Sequence, residues 1–225
     1  MLKRFLNLLV FVAGASSAQA ENECLRPESV LGANYTITET RDGKPQSEYR
    51  FTILRPTDAR LIYDMPATHL TQVYERYGNG RVKLLEYFHL EQIGVEHEPA
   101  DPLPGREWPA MFEMIPAKRV AALALEGTAR TRCLDVEIRS GRDDAATVSV
   151  EYLPEVRLPR MLHRARDGSV KTWRLDSLVT DRNAPRRMLE RLDTYRLYDF
   201  ADLGDSEHEE FFRSSRYLSY KLGHR

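Results

Sequence analysis

Through most of the chain apolar residues recur at every second position. In Val148-Ser149-Val150-Glu151-Tyr152 the valines and the tyrosine share one parity, as in a strand with one face on a core and the other in water. The same pattern predicts four consecutive strands at Arg130–Arg139, Ala146–Leu153, Arg160–Arg166 and Val170–Leu178. Ser140-Gly141-Arg142-Asp143-Asp144 and Asp167-Gly168 separate them, and short turns of this kind supply the positive-φ positions of antiparallel hairpins. Upstream, Ala33–Ile37 and Glu48–Leu54 flank the turn Arg41-Asp42-Gly43-Lys44-Pro45. Arg60–Asp64 reads as a strand that Pro66 ends or confines to a sheet edge. Leu70–Tyr77 and Arg81–Leu90 face each other across Gly78-Asn79-Gly80. Val82, Leu84, Phe88 and Leu90 take one parity of that second strand, and Leu85 and Tyr87 take the other. Both of its faces therefore need cover.

One stretch breaks the period of two. After a proline-rich loop over Glu96–Pro104, Trp108, Met111, Phe112 and Ile115 fall at helical spacing, and Val120, Leu123 and Ala124 continue the stripe beyond Pro116. Two short helices are predicted, Glu107–Ile115 and Ala117–Glu126, the second closed by Gly127 and both lying across the sheet as the cover for the second face of Arg81–Leu90. Trp108, Met111, Phe112 and Ile115 are the candidate ligand-binding residues, either as ordinary core or as a lid over a lipophilic cavity. Arg186–Asp193 reads as a polar helix or a loop over a sheet edge, and Ser206 with Glu209 suggests a last helix over Glu207–Ser215. The fold class that results is mainly β: a single curved antiparallel sheet, an open half-barrel of roughly nine to eleven strands, with two or three short helices on its concave face.

Composition changes the picture at the N-terminus. Lys3 and Arg4, the apolar run Phe5–Ala13 and Ala18-Gln19-Ala20 have the form of an export leader cleaved after Ala20, which leaves residues 21–225 as a single β-rich domain of the periplasm. Loss of Lys3 and Arg4 takes the formal charge from −1 to −3, and a nearly neutral chain with interspersed signs lacks the basic face that nucleic acid requires. No later stretch reaches the ~20 apolar residues of a membrane helix. Cys24 and Cys133 are the only cysteines. In an oxidising space they form one disulfide or, as the alternative, stay as two buried thiols.

Catalytic chemistry is not indicated. No G-x-S-x-G elbow occurs, and the histidines show neither H-x-x-x-H nor H-E-x-x-H spacing. His89 with Glu91, and His97 between Glu96 and Glu98, read as solvated side chains before they read as metal ligands. Neither a catalytic residue nor a cofactor is therefore assigned.

The sequential strands, the interposed apolar helical pair and the run Val148-Ser149-Val150-Glu151-Tyr152-Leu153-Pro154-Glu155-Val156-Arg157-Leu158-Pro159 resemble the periplasmic carriers and sensors of the LolA/LolB and RseB type. The tail Tyr198-Asp199-Phe200-Ala201-Asp202-Leu203-Gly204-Asp205 resembles the ends of a group of proteobacterial exported proteins. The resemblance implies an open antiparallel sheet whose apolar concavity, plugged by helices, takes acyl chains or a partner peptide. The expected function is a non-enzymatic periplasmic binder or carrier of a hydrophobic, lipid or acyl ligand. The alternative is an interaction or sensor module that docks to a lipoprotein or envelope protein through the edge at Arg60–Pro66 or through the acidic tail.

Overall fold

The structure, a computed structural model, describes residues 24–99, 107–204 and 211. The leader and the helix expected over Glu207–Ser215 lie outside the described residues, Phe211 excepted. Six strands come first: β1 (Gly32–Arg41), β2 (Lys44–Thr57), β3 (Arg60–Met65), β4 (Leu70–Arg76), β5 (Val82–Phe88) and β6 (Ile93–His97). Helices α1 (Trp108–Phe112) and α2 (Ala117–Ala121) lead to a second run: β7 (Ala124–Thr131), β8 (Leu134–Asp143), β9 (Ala146–Leu153), β10 (Leu158–Arg166) and β11 (Ser169–Val179). Helix α3 (Ala184–Leu192) and β12 (Arg196–Asp199) follow. The strands form one open 12-stranded sheet in the order β12-β6-β5-β4-β3-β2-β1-β11-β10-β9-β8-β7. Two meanders are thus joined along the β1–β11 seam into a curved half-barrel with β12 and β7 at its edges.

Tight turns set the register. Asp42-Gly43 and Asp167-Gly168 both take positive φ, at 51° and 74° and at 50° and 75°, the backbone of a type I′ hairpin. The amide of Asp42 donates to the carbonyl of Gly168 at 2.8 Å, so the two turns brace each other at one end of the seam.

Alternation then sorts the side chains. On the inner face Tyr35, Phe51, Ile53, Leu61, Tyr74 and Leu84 form the main core with Met111 and Phe112 of α1. Beside it Val148, Val150, Tyr152 and Leu162 pack against Ile115, Val120 and Leu123. On the outer face Leu54, Ile62, Val73, Leu85 and Tyr87 meet Leu192, with Met188 and Leu189 partly buried. Cys24 and Cys133 are disulfide-bonded with Cα atoms 5.1 Å apart, and Leu25 donates to the carbonyl of Arg132 at 3.0 Å. The N-terminal segment is thereby fixed to the β7–β8 turn.

Several expectations are corrected. There are twelve strands, and the last pair, β12 on β6, is parallel. β3 lies inside the sheet between β2 and β4, with Leu61 and Ile62 fully buried on opposite faces. Pro66 does not force an edge, because it follows the last residue of β3 and opens a one-turn 3-10 helix. Arg130–Arg139 is broken by a turn at Arg132-Cys133, both at positive φ. The second helix ends at Ala121, and Ala124–Thr131 pairs with β8, so Gly127 sits beside a β-bulge and not at a helix cap. Ladder hydrogen bonds along eight residues outweigh a short apolar stripe. β6 covers Ile93–His97, of which only Glu96 and His97 had been placed, in a loop. Finally, the second face of β5 is covered by α3, whereas α1 and α2 lie on the Leu84 side.

Candidate functional site

The inner face carries an aromatic wall. The rings of Tyr35, Phe51, Tyr63 and Tyr74, on β1 to β4, follow one another with centroids 6.4, 5.1 and 5.5 Å apart. Against this wall lies α1, started by Pro109 in its first turn and kept to five residues before Pro116. Met111, Phe112 and Ile115 are 5%, 6% and 6% exposed, whereas Trp108 is only partly buried, with its ring 5.7 Å from that of Phe112. All four candidates therefore face the sheet. Met111 and Phe112 enter the main core, Trp108 sits at its rim, and Ile115 belongs to the neighbouring cluster.

Cations grip the two rings. Arg55 and Arg157 lie over Phe112 at 5.2 and 5.5 Å, and Arg76 lies over Trp108 at 5.2 Å. Arg55 is buried, and its Nη2 donates to the carbonyl of Val156 at 2.7 Å. Burial, then the neighbouring Arg157, lowers its pKa, although a guanidinium stays charged at physiological pH. The buried Glu113 accepts from the Ala117 amide at 2.8 Å, which caps α2, and from Arg157 Nη1 at 3.3 Å. Tyr63 donates its hydroxyl to the Met111 carbonyl. The hydroxyl of Tyr152, a residue 3% exposed, has no hydrogen-bond partner among the described residues, and burial followed by Glu113 pushes its pKa up to about 12.

The outer face carries a polar row in strict cross-strand register: Ser177, Asn34, Thr52, Asp64 and Thr71. Asn34 Nδ2 donates to Ser177 Oγ at 3.0 Å, and Thr52 donates to Asn34 Oδ1 at 2.8 Å. Thr71 donates to Asp64 Oδ1 at 2.6 Å and lies 2.8 Å from His89 Nε2, while His89 Nδ1 lies 2.9 Å from the Tyr195 hydroxyl. Because Thr71 gives its proton to Asp64, Nε2–H of His89 donates to Thr71, and in neutral His89 Nδ1 accepts from Tyr195. Burial would raise the Asp64 pKa, but His89, whose Nε2 lies 3.6 Å from Oδ1, and the hydrogen bond from Thr71 outweigh it and hold it below the usual value. Thr71 is fully buried, so its hydroxyl cannot reach a substrate, and the chain of bonds tethers the segment after α3 to the sheet. The other histidine considered for metal, His97, turns to Glu86 at 3.0 Å, while Glu96 pairs with Lys83. Sequence reasoning did not anticipate this row; its only signal was polar residues on one parity of neighbouring strands.

No family model and no curated protein matches the chain. Among solved structures, it is similar to PNGF-II (10% identity, TM-score 0.36), covering 75% of this chain and 30% of that one. It is also similar to MucB in the complex structure of Pseudomonas aeruginosa MucA/MucB (13%, TM-score 0.33; 67% of this chain, 52% of that one). A LolA superfamily protein from Nitrosomonas europaea matches at 12% identity and TM-score 0.31, over 70% of this chain and 89% of that one. The chain thus spans about a third of the PNGF-II chain and about half of the MucB-complex chain it matches. An open antiparallel sheet with short helices against its inner face is the arrangement that the LolA and RseB resemblance implied.

Proposed function

We propose that this is an exported, non-enzymatic binding protein, folded as one domain over residues 21–225, whose inner face accepts a hydrophobic ligand in the place that α1 fills. One observation carries the reading: a wall of four aromatic rings is roofed by a helix of only five residues. A helix of that length has no stability of its own and holds its place by Met111, Phe112 and the guanidinium contacts. An acyl chain that laid the same apolar area on the wall would compete with those side chains directly. Trp108, Met111, Phe112 and Ile115 then act as the movable lining. The test is native mass spectrometry of protein taken from the periplasm, followed by lipid extraction. Bound lipid is expected, and Phe112→Ser should raise the affinity for an apolar dye by roughly tenfold, since the dye no longer competes with a buried ring. Protein that emerges empty and takes up no dye, in wild type and variant alike, overturns the reading.

A second reading is favoured by the free edge. β7, an eight-residue strand with Leu125 54% exposed, pairs with β8 on one side and has no partner on the other among the described residues, a surface to which an extended segment of an envelope protein or lipoprotein could add a strand. The edge at Arg60–Pro66 is not available for this, being internal. Of the acidic tail, Tyr198 and Asp199 belong to β12 and, after Phe200, Ala201–Gly204 form a 3-10 turn, while the rest, Phe211 excepted, lies outside the described residues. Crosslinking pull-downs with Leu125→Asp, and with residues 198–225 removed, separate the two surfaces. Unchanged recovery in both variants removes this reading.

A further inference from the structure

A cleft of about 540 Å³ opens between α3 and the outer face of the sheet, away from the residues of the proposed inner site. Its floor is apolar, made by Val73, Leu85, Tyr87, Pro185 and Leu189. A volume of this size and an apolar floor with a few charged groups are the marks of a small-molecule site. Tyr87 is 8% exposed, and its hydroxyl has no hydrogen-bond partner among the described residues. Burial first, then Asp193 and Glu75 of the same cleft, push its pKa up to about 12, so the phenol is a neutral donor at all physiological pH.

The charges at the rim fall into two groups. Arg60 is paired with Glu75, and Arg186 with Glu190. Arg182 and Asp193 make no ion pair among the described residues. They stand at opposite ends of α3, Arg182 two residues before its first residue and Asp193 directly after its last. Each also has the sign that a helix end least favours. The positive N-terminal end has Arg182, Arg186 and Arg187 and no acid in its first turn, and Asp181 ahead of it is taken by Arg187 at 2.6 Å. The negative C-terminal end has Asp193, with Arg191 in the last turn. The helix dipole and the free side chains therefore reinforce each other: an anion is called for at Arg182 and a cation at Asp193. Nine residues of helix separate the two ends by about 14 Å at 1.5 Å per residue.

We propose that this cleft binds a short apolar peptide with free termini, its carboxylate at Arg182, its ammonium at Asp193 and its side chains on Val73, Leu85 and Tyr87. About four extended residues, at 3.3–3.6 Å each, span the distance. The site is separate from the inner face, so it stands or falls without the function proposed above. The probe is the tetrapeptide Leu-Val-Ala-Leu with unblocked ends, compared with its N-acetylated and its C-amidated forms by calorimetry at low salt and by amide shifts in the full mature chain. Blocking either end should weaken binding about tenfold, as the loss of a hydrogen bond to a charged group does. Arg182→Gln should weaken the unblocked peptide and leave the C-amidated one unchanged, and Asp193→Asn should do the same with respect to the N-acetylated one. Both side chains are exposed, so neither change threatens the fold. Equal affinity for blocked and unblocked peptides, shifts that miss α3, or no binding at all overturns the proposal.

Discussion

The sheet has two apolar faces over β2 to β5, and each is covered by helix, yet the covers differ. On the inner face a five-residue helix buries Met111 and Phe112 in the core, whereas on the outer face a nine-residue helix leaves a cleft of about 540 Å³. Side-chain bulk decides this, not helix length. α1 inserts Met111 and Phe112 into the wall, with Trp108 at the rim. α3 turns only Pro185, Met188, Leu189 and Leu192 inward, and its arginines and acids face water on both flanks, so it touches the sheet along one narrow stripe. A cover built of large rings seals. One built of a narrow aliphatic stripe stands off and leaves room beside it.

The largest effect should come from the seal. Phe112→Ala removes the ring between Arg55 and Arg157 and leaves a hole in the main core, so about 3–5 kcal/mol should be lost and the thermal midpoint should fall by roughly ten degrees or more. A loss under about 1 kcal/mol in urea denaturation would mean that α1 is not part of the packed core, and would break the comparison. Next comes the crosslink that ties the N-terminus to the β7–β8 turn. Cys24→Ser should cost about 2–4 kcal/mol without altering the strand content seen by circular dichroism. Two reactive thiols in unfolded, unreduced wild-type protein would show that the bond is absent.

On the outer cover the expected effect is smaller. Leu189→Ala trims a partly buried side chain and should cost about 1–2 kcal/mol while speeding amide exchange in α3 alone. Exchange that rises equally in α1 would show the two covers to be one cooperative unit. The smallest effect belongs to Asp64, whose pKa is held low in the fold. A depressed carboxylate stabilises fully above its unfolded pKa near 4, and this contribution is lost as pH falls through the lower folded value. Asp64→Asn should therefore flatten the acid limb of the stability curve below about pH 4 and leave the slope above it unchanged. An unaltered acid limb would show that the His89 and Thr71 contacts do not survive in solution.

Much of the architecture could be read from residue order. Asp42-Gly43, Gly78-Asn79-Gly80 and Asp167-Gly168 fixed hairpins because their conformations are local, and the period change at Trp108 located the inner helices. Alternation on β5 required two covers, but the second was assigned to the helices after Trp108, whereas α3 supplies it. The stripe Pro185, Met188, Leu189 and Leu192 stood at i, i+3, i+4 and i+7, but Arg186, Arg187, Glu190 and Arg191 made the segment read as polar. The Arg132-Cys133 turn had no glycine or asparagine to announce it. Of the candidate site, the four apolar side chains were visible, whereas the arginines that grip them come from β2, the end of β4 and the β9–β10 turn.

By itself, then, the sequence determined most of the strands, the glycine-bearing turns and the one connectivity open to a disulfide, since each depends on a few neighbouring residues or on simple arithmetic. Only the tertiary structure decided that β1 closes on β11, that β3 is internal and that β12 runs parallel to β6. Those pairings join residues as much as 147 positions apart, as Gly32 and Val179 are, and no local preference encodes them. The same holds for the polar row and for the charges at the ends of α3 that make no ion pair among the described residues. Each residue is ordinary alone, and its meaning comes from neighbours supplied by other strands.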